Sequence, residues 1–458
     1  MTLPGLVIGK PLAVRLKRAA RHAWELIIGR RPKDVTTVPV ADLQAQWKRE
    51  FAAFLCELGS MLVMAGALIE EVEDAIRDVA ARNGARVRSF VVPTGVFVRV
   101  GEGDNDAIDF LPIEGERLTL AQIQALYSLV DRLRDEPTTA ADAMEELLRV
   151  SAIPERFSPI EAVAGYAVQT VGLGVIQHAT LPAVAGYAVL GLGVGVLRII
   201  GSRIAWLRTA LPVVAAAAVT MVARVWAGPV LHEWATFMLV APLIAFLPGT
   251  QLTMGVIELS QGDVLSGLSR LASAFNVLLL LTFGILVGTS VATQAPIPPG
   301  PAAHGLGAWA PWVGVALLGV GFVVCYSAPR RLLPWLLAVL LVERAAQVLG
   351  STVAGAPFGA FVAGLVLPVL AHSIQQRAGT PSQVLYLPSF WMLVPGSLGL
   401  AGVSELVVEQ SAASLADLVQ TAVIVLAIAL GILVGASFVP RERLEVVTGR
   451  SEPRTEFG

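Results

Sequence analysis

From Ile160 onward the chain is a run of about ten apolar segments, each long enough to cross a bilayer as a helix. They fall near 160–180, 182–201, 209–231, 235–257, 269–293, 308–327, 331–350, 354–374, 386–408 and 417–439. In lipid a backbone group freed from its helix must find another partner. A sequence of this kind is therefore expected to form a polytopic α-helical membrane protein. The first two segments are the least cleanly divided, because only His178, Thr180 and Pro182 separate them.

The connections between segments alternate in charge. Arg198, Arg203 and Arg208 follow the second segment and Arg270 the fourth. Arg330 and Arg331 follow the sixth, Arg377 the eighth, and Arg441 and Arg443 the tenth. Intervening connections such as Ala292–Gly307 contain no Lys or Arg. The positive-inside rule then puts both termini in the cytoplasm of a cell-membrane protein with an even number of crossings. Of the 458 residues, 55% are hydrophobic and 15% charged, and the mean hydropathy is +0.70. The charged residues crowd into residues 1–157, so a net charge of −2 conceals a polar front and an apolar remainder. No bulk basic excess points to a nucleic-acid partner.

A twelve-residue phrase occurs twice within the apolar region. Residues 248–259 read PGTQLTMGVIEL and residues 395–406 read PGSLGLAGVSEL. Pro248-Gly249 and Pro395-Gly396, then Gly255 and Gly402, then Glu258 and Glu405, hold the same offsets in both copies. Pro removes a donor and clashes with the preceding turn, and Gly admits backbone angles that other residues avoid. A repeated break in a membrane helix tends to face protein or a wet cavity. Five crossings per half is an odd number, so the second half enters the membrane in the opposite sense. The expectation is a 5+5 inverted repeat, an architecture of alternating-access transporters. Glu258 then lies towards the cytoplasm and Glu405 towards the exterior, each roughly 15 Å along a helix from its Pro.

The polar front divides in two. Residues 1–40 form a basic leader in which Lys17, Arg18, Arg21, Arg30 and Arg31 alternate with Leu12, Val14, Leu16, Trp24, Leu26, Ile27 and Ile28. Both an amphipathic helix on the anionic leaflet and a disordered leader fit this pattern, and neither is a cleaved signal. Residues 41–157 read as a small α+β cytosolic domain. Helical spacing marks Ala41–Ala67 and Ile69–Asn83, with Gly84 as a C-terminal cap. Two short strands around Pro93-Thr94-Gly95 follow, and then helices over Thr119–Asp135 and Thr138–Val150. The remaining divisions are a first five-helix half at 158–293 and a Pro-rich external loop at 294–307. A second five-helix half at 308–440 and a cytosolic tail at 441–458 complete the chain.

These motifs together resemble the threonine/serine exporter family, over nearly the whole chain after residue 40. In the front part the resemblance rests on Ala65-Gly66-Ala67, Val72-Glu73, Gly84 and the Pro93 turn. In the membrane part it rests on Leu247-Pro248-Gly249, Glu258-Leu259, Gly262, Gly267-Leu268 and Leu393-Val394-Pro395-Gly396-Ser397. The two halves are also similar to the separate subunits of two-component exporters, some linked to succinate. The resemblance implies a proton-driven exporter of small amino acids, with the amino acid, protons and the bilayer as its partners. A homo-oligomer is left open.

Chemistry-bearing residues are few. The two breaks are the expected substrate pathway, through Pro248, Gly249, Gly255, Glu258, Pro395, Gly396, Gly402 and Glu405. Half-helix N-termini suit a carboxylate, and carbonyl ends or an acid suit an ammonium. Glu258 and Glu405 are read either as proton carriers or as interfacial charges. Arg224, Glu343 and Arg344 lie within spans, where a charge costs on the order of 2.5–3.5 kcal/mol. They are read as an ion pair, such as Arg224 with Glu343, or as coupling or substrate-carboxylate groups. Gly191, Gly193 and Gly195 read as a helix-packing surface. Glu70, Glu71, Glu73 and Asp74 read as a solvated acidic face. Cys56 and Cys325 offer no disulfide framework or metal spacing, and no His/Cys/Asp cluster calls for a metal. No nucleophile–base set or P-loop is present, so no enzyme activity and no cofactor is expected. Two alternatives remain: dicarboxylate export, and a membrane-anchored regulatory module.

Overall fold

Apolar residues at helical spacing form α1, Val40–Met64, and α2, Ile69–Arg82, whose Val72, Ile76, Val79 and Ala80 are buried. The computed structural model describes residues 40–101, 106–113, 118–226, 238–292, 305–378, 382–393 and 413–439. The basic leader and the C-terminal tail thus lie outside the described residues, as do most of the Pro-rich loop and the second copy of the phrase.

After α2 the chain turns at Gly84, whose φ of +68° is the left-handed conformation that glycine accepts most readily. A three-stranded antiparallel sheet follows: β1 (Val87–Val92), β2 (Gly95–Val100) and β3 (Ala107–Pro112). Only the first two strands were expected. In β3 the inward positions are Ala107, Asp109 and Leu111, so the apolar alternation that marks a half-buried strand is missing. The inner face packs on α1, where Gly59 allows close contact with Ile76 and Val96. On the outer face Phe90, Phe97 and Phe110 stand in register across the strands.

Two more helices cover this core, α3 (Leu120–Asp135) and α4 (Ala140–Ser151). Thr119 caps α3 in a reciprocal box with Gln122, and Thr139 caps α4. The first membrane helix, α5 (Pro159–Gln177), starts in the same manner. Ser158 and Glu161 satisfy two of its free amide groups, and Pro159 occupies a position that needs no N–H donor.

The apolar region continues with α6 (Leu181–Arg203) and α7 (Ala205–Trp226). A 3₁₀ turn at Ala241–Phe246 leads to α8 (Gly249–Gln261), followed by α9 (Val264–Val291) and α10 (Ala310–Cys325). The last three are α11 (Leu333–Ala378), α12 (Ser382–Leu393) and α13 (Ala413–Ser437).

Six helices among the described residues are long and apolar enough to cross a membrane. The chain is thus a helical membrane protein, but ten separate spanning helices are not what these residues give. Four places account for the difference: α10 is only 16 residues long, the expected segment at 386–408 leaves the described residues after Leu393, and the other two lie at Pro248 and within α11. The expected segment at 235–257 is interrupted at Pro248, leaving α8 only 13 residues long. The expected pair at 331–350 and 354–374 is present as two helices that run on from one another through a kink, so together they make one of the six. Ala354 and Gly355 leave helical geometry, Gly355 with φ of +80°. A methyl group on Gly350 would lie 2.8 Å from the Gly359 Cα. Nine residues along a straight helix span roughly 13.5 Å, so α11 doubles back into two arms.

Close glycine contacts hold these helices together. Gly172 of α5 meets Gly314 and Leu318 of α10, and Gly321 meets Gly165 and Gln169. Gly284 and Gly288 of α9 rest on α7 at Val213 and Ala217. Gly431 and Gly435 of α13 rest on the second arm of α11 at Phe361 and Leu365. Since lipid is as apolar as the side chains, close backbone approach of this kind supplies much of the association between membrane helices.

Candidate functional site

The break at Pro248 begins with the backbone. The 3₁₀ turn ends at Phe246, Leu247 is extended (φ −68°, ψ 125°), and α8 starts anew at Gly249 with Pro248 as its N-cap. Pro248 has no N–H to lose, which makes it compatible with a helix start. A methyl group on Gly249 would stand 3.7 Å from the Phe390 carbonyl oxygen, so this helix start faces α12. One turn further on, Thr253 is fully buried and its hydroxyl has no hydrogen-bond partner among the described residues.

The remaining residues of the first phrase serve contacts. Gly255 lies against Gly267 and Leu271, where α8 and α9 pack. Glu258 is fully buried and accepts hydrogen bonds from Ser266 Oγ (2.7 Å) and Arg270 Nε (2.9 Å). Arg270 reaches further and donates to the Ala67 carbonyl (3.0 Å) in the turn between α1 and α2. Beside it Gln261 donates to Glu70 (3.1 Å). Glu258 is therefore a buried, paired acid rather than a charge exposed at an interface. Pro395, Gly396, Gly402 and Glu405 lie outside the described residues.

The acidic run on α2 is not a uniformly solvated face. Glu73 accepts from the Val91 amide, Glu70 meets Gln261, and Glu71 is half-buried next to Tyr127. Burial lifts the Glu71 carboxyl to about 7, against the opposing influence of Tyr127 and Arg134. Burial also pushes the Cys56 thiol up to about 12, which leaves it inert.

Glu343 on the first arm of α11 is fully buried, and among the described residues neither of its oxygens has a hydrogen-bond partner. The expected pair of Glu343 with Arg224 is therefore not made. Arg224 sits in the last turn of α7, on a different helix from its supposed partner. The polar neighbour of Glu343 is Ser389 of α12, whose hydroxyl is also buried. Arg344 points elsewhere, because successive helical residues differ by about 100°. It donates to Gln347 (2.8 Å) and lines a groove with Gln347, Ser351, Thr352 and Ala356.

One group was missed by the sequence reading. Arg198, read as a loop cation, lies inside α6 with its guanidinium 4.9 Å from the Tyr166 ring centre and 5.4 Å from that of Tyr326. Its Nη1 donates to Cys325 Sγ (3.3 Å). The spacing Gly191, Gly195, Arg198 could have revealed it, since it places all three on one helix face. Gly191 and Gly195 pack on α5 through Ala167, Thr170 and Val163, while Gly193 meets nothing within 4 Å. The glycine run is thus a packing surface only at alternate positions.

No group of residues that could hold a metal occurs among the described residues. No curated protein and no solved structure matches the chain. A family model for a threonine/serine exporter matches residues 53–292, over half of the chain. A second model, also described as a threonine/serine exporter, matches residues 312–438. The front part, the broken helix at Pro248 and both membrane regions fall within these matches, and the chain belongs to the threonine/serine exporter family, carrying both halves in one polypeptide.

Proposed function

We propose that this protein is a secondary active exporter that moves threonine and serine out of the cytoplasm, driven by the proton gradient through alternating access. Glu343 carries the reading. A fully buried carboxylate with no counter-ion among the described residues is expensive when charged and far cheaper when protonated. It lies beside Ser389 on α12, the helix that also faces the Pro248 break. A group that can hold a proton therefore stands beside the helix that faces the break. In this reading the substrate pathway runs past Pro248, Gly249 and Thr253, and past Pro395 and Gly396 in the second half.

The reading includes a 5+5 inverted repeat in the cell membrane with both termini cytoplasmic, and the helix pairings fit such a repeat. In that scheme α5 and α10 open the two halves, and they pack on each other through glycines. Third meets fifth in each half: α7 with α9, and the second arm of α11 with α13. The Leu306 amide donates to the Ala179 carbonyl (2.8 Å), joining two of the connections that carry no Lys or Arg. Both would lie outside.

Cells loaded with a threonine-containing dipeptide provide the test. Export should stop when a protonophore collapses the gradient while ATP is maintained. Glu343→Gln should insert normally, yet lose at least about tenfold in export rate and its pH dependence. Export that survives the protonophore and fails on ATP depletion would overturn the reading. A second reading, dicarboxylate export, draws on the Arg198 guanidinium, which has no carboxylate partner among the described residues; competition by succinate but not by serine would favour it.

A further inference from the structure

We infer that Arg198 is the residue that receives the substrate carboxylate on the cytoplasmic side, a step that rests on the exporter reading above. Arg198 carries a permanent charge, and among the described residues no carboxylate pairs with it. Aromatic faces and a thiol compensate a guanidinium only partly, whereas an anion does so fully, and bidentate carboxylate binding suits its planar fork. A membrane protein retains such a cation at a cost, which an arriving anion removes.

The surroundings tie this charge to both halves of the protein. Tyr166, on one side of the guanidinium, donates its hydroxyl to the Pro242 carbonyl (2.7 Å), in the 3₁₀ turn before the Pro248 break. Tyr326, on the other side, packs 5.3 Å from Trp391 of α12, and Trp391 also meets Phe322 edge-on. Any movement at the break that pulls Pro242 away takes the Tyr166 ring from the guanidinium. The cation is then uncovered in step with the opening of the pathway.

A second observation points to a polar ligand at the same helix. Gln169 is fully buried, and neither its amide nitrogen nor its amide oxygen has a partner among the described residues. It stands one turn beyond Tyr166 on the same face of α5. An α-amino acid with a hydroxylated side chain offers what these groups lack: a carboxylate for Arg198, and a hydroxyl able both to donate to and accept from Gln169. A site built around such groups rejects analogues that leave them unpaired.

The experiment measures export in inside-out vesicles, whose accessible face is the cytoplasmic one, using radiolabelled L-threonine. Arg198→Lys and Arg198→Gln should raise the KM for L-threonine about 10- to 100-fold, the loss expected when hydrogen bonds to a charged group are removed. Thermal stabilisation provides a second readout that does not require a variant to fold. L-threonine should stabilise the unaltered protein, and L-threoninol, which lacks the carboxylate, should not. Equal stabilisation by both compounds overturns the inference, as does a well-folded Arg198→Gln protein with unchanged KM. Failure of the unaltered protein to move threonine or serine overturns the exporter reading itself, so the two failures are distinguishable.

Discussion

Glu258 and Glu343 are both fully buried acids on membrane helices, but they differ in their neighbours. Glu258 has Arg270 and Ser266 within hydrogen-bond distance, and Glu343 has no such partner among the described residues. The first is therefore suited to holding elements together and the second to exchanging a proton. The sequence put Glu258 near a helix end and Glu343 within a span, but it did not show that Glu258 is paired, because Arg270 lies 12 positions away across a helix turn. Glu71 makes a similar point in the front part of the chain. It sits among Glu70, Glu73 and Asp74 in the sequence, yet burial near Tyr127 lifts it from 4.5 to about 7. Between these values the folded protein binds more protons than the unfolded chain, so stability falls as pH rises. The contribution is complete below about 4.5 and lost above about 7. Hydrogen exchange of α2 should accordingly speed up between pH 5 and pH 8, and Glu71→Gln should flatten that dependence. Identical pH profiles for both proteins would mean that Glu71 is solvated in the native state.

At the scale of elements, long periodic helices were legible and chain reversals were only partly so. Apolar periodicity marked α1 and α2, Gly84 marked the end of α2, and Thr119 marked the start of α3. The break at Pro248 was legible because Pro and Gly act locally on the backbone. The strand β3 was not, since it owes its position to pairing with β2 rather than to its own pattern. Glycine contacts fall between these cases: the sequence shows the residues, and only the packed helices show which ones matter. A methyl group on Gly172 would lie 2.7 Å from the Gly314 carbonyl oxygen, whereas one on Gly193 would meet open space. Gly172→Val should force α5 from α10 and cost about 1–3 kcal/mol or more, lowering the melting temperature in detergent. Gly193→Val should leave it nearly unchanged. Equal melting temperatures for both would show that the α5–α10 contact is not a close one in solution.

At the scale of the whole molecule, the order of a polar front followed by apolar helices could be read from charge distribution alone. How the two parts meet could not, because the contacts join residues 191, 203 and more positions apart. Arg270 donates to the Ala67 carbonyl, Gln261 donates to Glu70, and α12 approaches α3. The Ala65-Gly66-Ala67 motif is thus where the front part grips the turn between α8 and α9. Gly66 has a φ of +91°, so a residue with a side chain would strain the turn that presents the Ala67 carbonyl. If α8 shifts during each transport cycle, the front part either travels with it or releases it. A cross-link between Cys residues placed at Glu70 and Gln261 decides between these. Their side chains approach to 3.1 Å, so a short thiol-specific linker can join them. Cys56 is buried with its thiol pushed up to about 12, and it should not compete. If the grip must open, the cross-link should stop export, a cleavable linker should restore it on reduction, and each single-Cys variant should export normally. Undiminished export in fully cross-linked protein would mean that the front part and α8 move as one body, and that access alternates elsewhere.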